Sequence, residues 1–375
     1  MHDQGQASTE YVAILLVVGV LLAVSTVAVA VPGVGGRITK TVRTGLCIVG
    51  GDVCRNSDAV AAGLAPCVTS ERSKRQDTTV DLGVVRLGGH GEWQIALRSD
   101  GQAIVTRLEE NELGGTVGVG LTFSPAGVSA DATASLVAGY HGGRAWRFPD
   151  ARSAGAFLEG AMHDESVQAA RAPDLRWHAI GGRAGAEAVA AIADLTRAGL
   201  TTAASSVIGL RTEGARRTLT LDLGIDDPSV AIDLPGFPAG PGPRRRWVAD
   251  VSWENGSARE LALRTATASG GRLAEYTARL DLREPGNRAV AERLLRPGGT
   301  PGNLGALAAR LRTDGVLERD GYSVEERRRG FSVAGRLGIA LGLEHHRITS
   351  ERRLVDAVAW IRGGRPQRRF DCIGV

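Results

Sequence analysis

Two clusters of side chains could ligate a metal or move protons: His163-Asp164-Glu165 and Glu344-His345-His346. A transition metal needs imidazole and carboxylate groups that converge on one point. Neighbours on a strand project to opposite faces, so His345 and His346 cannot readily share an ion, and a surface role is the plainer reading. No metal is expected. The four cysteines, Cys47, Cys54, Cys67 and Cys372, contain no C-x-x-C spacing, which removes zinc-ribbon and thioredoxin-type chemistry. Four cysteines admit two disulfides in three connectivities. The preferred one closes Cys47 on Cys54 and ties Cys67, at the start of the globular part, to Cys372 at its end; the alternative is four buried thiols. Cys372 is three residues from the C-terminus, a poor place to position a catalytic base. The chain has no H-E-x-x-H, no Walker loop, no G-x-S-x-G elbow and no strand-coupled G-x-G-x-x-G. No catalytic residue and no cofactor is assigned, and the protein is read as a non-enzyme. Asn255-Gly256-Ser257 fits the N-glycosylation triplet, yet the same residues would make a tight turn.

Around these residues the chain alternates apolar and polar side chains. "TTVDLGVVRLGG" and "EWQIALRSDGQAIVTRLEE" read as strands with Asp100-Gly101 in turn position. "GGTVGVGLTF" and "VSADATASLVAGYHGG" read as a second hairpin whose apolar face packs inward. Their glycines alternate with aliphatics and look like close sheet contacts, not a phosphate cradle. Such a hairpin could also insert into a membrane as a pore element, but a folded sheet explains it more simply. Helices are expected at "SAGAFLEGAM" with a Ser153 cap, "GAEAVAAIADLTRAGL", "NRAVAERLLR", "GNLGALAARLR" and "SERRLVDAVAWIRGG". The second half resembles the first at an offset of 220, pairing Asp100-Gly101 with Asp320-Gly321. The expected class is α+β: a long N-terminal transmembrane helix, then a mainly antiparallel-sheet ectodomain with packed helices.

Length and charge narrow the function. The 375 residues suffice for a proper core, and the net charge of +4 is spread as arginine. The short runs Arg244-Arg245-Arg246 and Arg327-Arg328-Arg329 lack aromatic interleaving, so no nucleic-acid partner is expected.

From Tyr11 to Gly36 there are 26 residues without a charge. Twenty of them in a helix would span roughly 30 Å, the hydrocarbon core of a bilayer. Upstream stand Gly5, then Gln6, then Glu10 and Tyr11. This register over residues 5–31 resembles the processing site of Flp-type (type IVb) pilins and tight-adherence pseudopilins. The resemblance implies prepilin cleavage after Gly5, a retained helix, and a Glu10 that pairs with the free amine of a neighbouring subunit. It implies a minor pilin-like structural or adhesion component. Its partners would be prepilin peptidase, other pilin subunits, the inner-membrane pilus or secretion assembly machinery, and membrane lipid. The implied location is a single-pass membrane protein with its C-terminal domain extracellular, at the cell surface or pilus. Arg37, Lys40 and Arg43 after the helix would favour the opposite orientation. The alternative is a single-pass anchored extracytoplasmic binding protein that joins no filament. The expected organisation is a leader at 1–5, the helix at 6–36, a Cys-containing connector at 37–77, an α+β subdomain at 78–234, a Pro/Gly linker at 235–246 and a second α+β subdomain at 247–375.

Overall fold

The computed structural model describes residues 51–82, 85–113, 122–124, 127–129, 140–179, 207–222, 234–237, 247–295, 301–336 and 340–373. The chain divides into two units, Met1–Cys54 and Arg55–Val375, and the second holds every element described below. The apolar segment, the Gly5, Gln6, Glu10 and Tyr11 register, Cys47, and the helix expected at 185–200 lie outside the described residues.

After α1 (Asn56–Ala61) come β1 (Val68–Leu82), β2 (Val85–Arg98) and β3 (Ala103–Leu113), then the small hairpin β4 (Thr122–Ser124) and β5 (Gly127–Ser129). Next are β6 (Tyr140–Phe148), α2 (Ala151–His163), α3 (Glu165–Ala169), β7 (Leu175–Ala179), β8 (Val207–Glu213), β9 (Arg216–Asp222), β10 (Val248–Glu254), β11 (Ser257–Ser269) and β12 (Arg272–Asp281). The chain ends with α4 (Pro285–Leu295), α5 (Pro301–Asp314), β13 (Val316–Arg336), β14 (Ala340–Ile361), β15 (Gln367–Arg368) and α6 (Phe370–Ile373).

Every long strand pairs antiparallel with the next one in the chain, and β14 returns to pair with β1 from Ser70↔Arg353 to Leu82↔Leu341. The result is a closed up-and-down barrel of 12 strands, with β15 attached to the lower edge of β14. Closure removes the sheet edges that would otherwise template aggregation. The α+β expectation is therefore corrected. So is the single-pass assignment: no helix among the described residues is long and apolar enough to cross a membrane. The correction has an identifiable cause in β14. "SERRLVDAVAWIRGG" looks helical because Val355 is a bulge residue, where the register steps from Gly321↔Asp356 to Tyr322↔Leu354 and breaks the period-two pattern. Asp320-Gly321 lies inside β13 at this bulge, whereas Asp100-Gly101 turns a hairpin, so the two halves are not built alike at that pair.

The register defines two faces. Starting from Glu71↔Arg352, one face runs through Gln94↔Thr106, Thr106↔Ala145, Arg211↔Thr218, Thr218↔Ser252, Arg264↔Thr277 and Thr277↔Glu318, returning to Val324↔Arg352. All five charged residues buried on strands, Glu71, Glu92, Asp250, Glu318 and Arg352, belong to it. It is the concave face: Glu71 on β1 and Glu275 on β12 meet on the Arg352 guanidinium, although β13 and β14 stand between them in the ring. Side chains from such separated strands converge only toward the axis.

The other face points outward and carries the two larger apolar clusters, while Ile104, Ala145 and Leu175 form a smaller one on the concave face. Val105, Trp146 and Phe148 pack under Ala154, Phe157 and Leu158 of α2, with Trp146 and Phe157 ring centroids 5.0 Å apart. On another arc, Leu219, Val251, Trp253, Leu261, Leu263 and Leu280 lie under Val290 and Ala291 of α4 and Leu307, Ala308 and Leu311 of α5. Each fully buried Leu contributes about 1.5–3 kcal/mol. The helix α2 starts on Asp150, whose Oδ1 accepts the Ser153 N–H at 2.7 Å, so Ser153 donates to the cap instead of serving as it.

Candidate functional site

The site is the barrel interior. Its lower part is closed by ion pairs and a covalent clasp. Cys67 and Cys372 form a disulfide across a sequence separation of 305, and Cys54 is also disulfide-bonded. Next to the clasp, Arg369 is 1% exposed; it donates to Asp371 from Nε and Nη2 at 3.0 and 2.8 Å, to Glu318 Oε1 at 2.7 Å, and to the Ala65 carbonyl at 2.8 Å. The same Glu318 accepts from Arg279. One turn of the network higher, Arg352 donates Nη2 to Glu71 at 2.9 Å and Nη1 to Glu275 at 2.5 Å, over the Tyr322 ring at 4.8 Å. Burial works against the charge of Arg352, but Glu275 and Glu71 outweigh it and hold the guanidinium protonated.

Asp320 lies between these two ion-pair centres on β13. Burial first, then the Glu318 and Glu275 carboxylates, push its pKa up to about 8 against the pull of Arg369 and Arg279. It carries a proton at neutral pH. On β2, burial raises Glu92 in the same direction, with Gln94 donating to it at 2.8 Å. The β8 to β11 arc mixes both signs: Arg264 sits on Asp250 at 2.6 Å, Arg216 on Ser252 at 3.0 Å, and Arg211 near Thr218.

On β13 every residue from Glu325 to Gly330 is exposed, including Glu326 and Arg328, which carry the concave-face parity of Val324. The hairpin β4–β5, which branches from the β3 to β6 connection, comes within 8 Å (Cα to Cα) of β11 on the far arc.

The clusters singled out in the sequence do other work. His163 ends α2, while Asp164 caps α3 by accepting the Ser166 N–H at 2.8 Å, and Glu165 begins that helix. Glu344 and His346 have side chains outside the described set; His345 takes the opposite parity to Arg352, on the outward face. Cys67, Asp371 and Cys372 lie close enough to suggest a metal cluster, but both sulfurs are in the disulfide and Asp371 is bound by Arg369. Asn255 and Gly256 turn β10 into β11 with φ of 51 and 74°. The residues that do line the site, Glu71, Arg211, Glu275, Asp320, Arg352 and Arg369, gave one signal: charges at alternate positions of strands, as in Asp250, Ser252 and Glu254 of "VADVSWE".

No protein family matches the chain, and no curated protein matches it. Among solved structures it is similar to a TodX deltaS2S3 mutant monoaromatic hydrocarbon channel at 9% identity and TM-score 0.15, covering 79% of this chain and 92% of that one. It is also similar to a TodX deltaS2 mutant channel at 9% and 0.16, covering 80% and 94%, and to the P. putida toluene transporter TodX at 8% and 0.11, covering 81% and 93%. The pilin-like expectation is corrected here. No family model matches, and the described residues between 55 and 373 build a closed barrel with a charged interior. The type IVb pilus, prepilin cleavage, filament partners, assembly machinery and single-pass surface location fall with it, as does the single-pass anchored alternative.

Proposed function

We propose that the protein is a barrel that takes small, charged, water-soluble molecules into its interior through the end away from the Cys67–Cys372 clasp. One observation carries this reading: among the described residues, the five buried charged strand residues all face the axis, while the two apolar clusters that lie under helices face outward. A barrel interior evolved only for packing would be apolar, because unpaired or paired charges taken from water cost more than Leu or Val at the same place. A polar interior is instead what a passage or polar binding cavity requires.

A pore is the second reading, favoured by the even antiparallel ring with polar residues inside and apolar ones outside. The outer wall weighs toward the binding reading. Arg72, Lys74, Arg327, Arg329, Arg347 and Arg353 stand exposed on it, and a Lys or Arg facing lipid at mid-depth costs about 2–4 kcal/mol.

The test is a thermal-shift panel of small charged solutes, with toluene as the apolar comparison. At least one charged solute should raise the unfolding midpoint saturably. Ser350→Trp, which narrows the interior above the ion pairs opposite Ser73, should weaken that effect at least tenfold while Ser350→Ala leaves it. Stabilisation by toluene alone, or by nothing, would refute the reading. Stepwise conductance in planar bilayers would replace it with the pore.

A further inference from the structure

We propose that the β8–β11 arc of the interior is a binding subsite for an oxyanion, the carboxylate or phosphate group of the solute; the inference rests on the interior being the binding site. On this wall the carboxylates and guanidiniums do not balance one for one. Glu213 is bound by Arg147. Asp250 uses one oxygen on Arg264 Nη2 at 2.6 Å and the other on Thr220 Oγ1 at 2.7 Å. Glu260 accepts from Arg216 at 3.4 Å, and Glu254 from Arg259 at 3.1 Å. Every carboxylate described on this arc is therefore engaged. Arg211 is the guanidinium left over, and it reaches the Thr218 hydroxyl at 3.5 Å.

Its surroundings make that position unfavourable without a ligand. Burial lowers the pKa of Arg211, and the neighbouring Arg264 and Arg216 lower it further, against Asp250 and Glu213. A guanidinium does not escape by deprotonating in the accessible pH range, so an anion beside it would offset that cost. Beside it, Nε of Arg216 is buried with no acceptor, while Thr218 and Ser252 bring hydroxyls to the same rows of β9 and β10. A planar fork of N–H donors with flanking hydroxyls matches the two oxygens of a carboxylate or phosphate, each bond charge-assisted.

The full chain is titrated by calorimetry with sodium phosphate and, separately, sodium acetate, both against sodium chloride at equal ionic strength. Saturable binding of phosphate identifies a phosphate group, and of acetate a carboxylate; either supports the subsite. Arg211→Met should then weaken binding at least tenfold, Arg211→Lys should recover part of it, and the outward Arg353→Met should leave it unchanged. Arg211→Met should unfold at the same or a higher temperature than the parent, because it removes a half-buried charge that makes no direct contact with a carboxylate. If neither anion binds saturably, or Arg211→Met binds as tightly as the parent, the subsite is wrong. Ser350→Trp separates the two ideas. Loss of anion binding in Ser350→Trp but not in Arg211→Met overturns the subsite and leaves the interior reading standing; loss in Arg211→Met alone overturns access through the end away from the clasp.

Discussion

Replacing Arg352 by Met keeps an unbranched apolar stem and removes the charge that joins β1, β12 and β14. The side chain is 4% exposed, and its two carboxylate partners, Glu71 and Glu275, are 5% and 11% exposed. Removing one member of a buried ion pair costs about 3–5 kcal/mol, most of it from the charge left behind. Losing the contact with the Tyr322 ring adds about 0.5–2 kcal/mol. A loss of about 3.5–7 kcal/mol stands against a total domain stability of about 5–15 kcal/mol, so R352M should be marginal at neutral pH. The loss should depend on pH. Glu275, raised by burial, would lose the lowering pull of Arg352 and hold a folded pKa above its unfolded one. The folded variant would then hold a proton that the unfolded chain releases, so its stability falls as pH rises from about 4 through the folded value. The triple variant E71Q/E275Q/R352M carries no orphaned charge and should recover most of the loss. Urea unfolding followed by tryptophan fluorescence and far-ultraviolet dichroism at pH 5 and pH 8 measures all of these. The reasoning fails if R352M is within about 1 kcal/mol of the parent at pH 8, below the about 3–5 kcal/mol that an orphaned buried charge commands. It also fails if the triple variant is no better than the single one.

Three further outcomes follow from features on the page. The C67A/C372A pair opens a loop with a separation of 305; chain entropy sets an upper bound of about 5–6 kcal/mol on the loss, read as a lower urea midpoint, and an unchanged midpoint would contradict it. Leu261→Ala, beneath the α4–α5 pair, should cost about 2–5 kcal/mol, whereas a change within experimental error in chemical denaturation would mean that this outward face is not the core. Asp320, raised to about 8 in the folded state, takes up a proton on folding. It should make stability decline between about pH 4 and pH 8, and Asp320→Asn should flatten that slope; an unaltered pH profile would refute the assignment.

Much of the sheet was legible, and its sense was not. Alternation in "ELALRTATA" and "VADVSWE" marks strands by period two, and the helices at Pro285–Leu295 and Pro301–Asp314 follow from apolar residues at helical spacing. What alternation cannot say is which face of a strand meets the axis. In an open sheet over helices the polar face meets solvent, which is how the sequence reads; closure of β14 onto β1 turns that same face inward. Closure is a pairing between residues such as Glu71 and Arg352, far apart in the chain, and no local pattern encodes it. The bulge at Val355 hid the last strand in the same way, by shifting the period within one element. The interior residues were missed for the first reason: Glu275 and Arg264 look like ordinary solvated charges until the ring is closed.

In this ring each strand's neighbour is the next strand in the chain, and the first meets the last, with Cα atoms of Cys67 and Cys372 5.6 Å apart. Such a barrel has no privileged starting point. A circular permutant of residues 67–372 that begins at Gly256, in the β10–β11 turn, and joins positions 67 and 372 with a short peptide in place of the disulfide would keep every described ladder and cut one hairpin connection. The order of the strands around the axis, and not the place where translation starts, would then be what specifies the molecule.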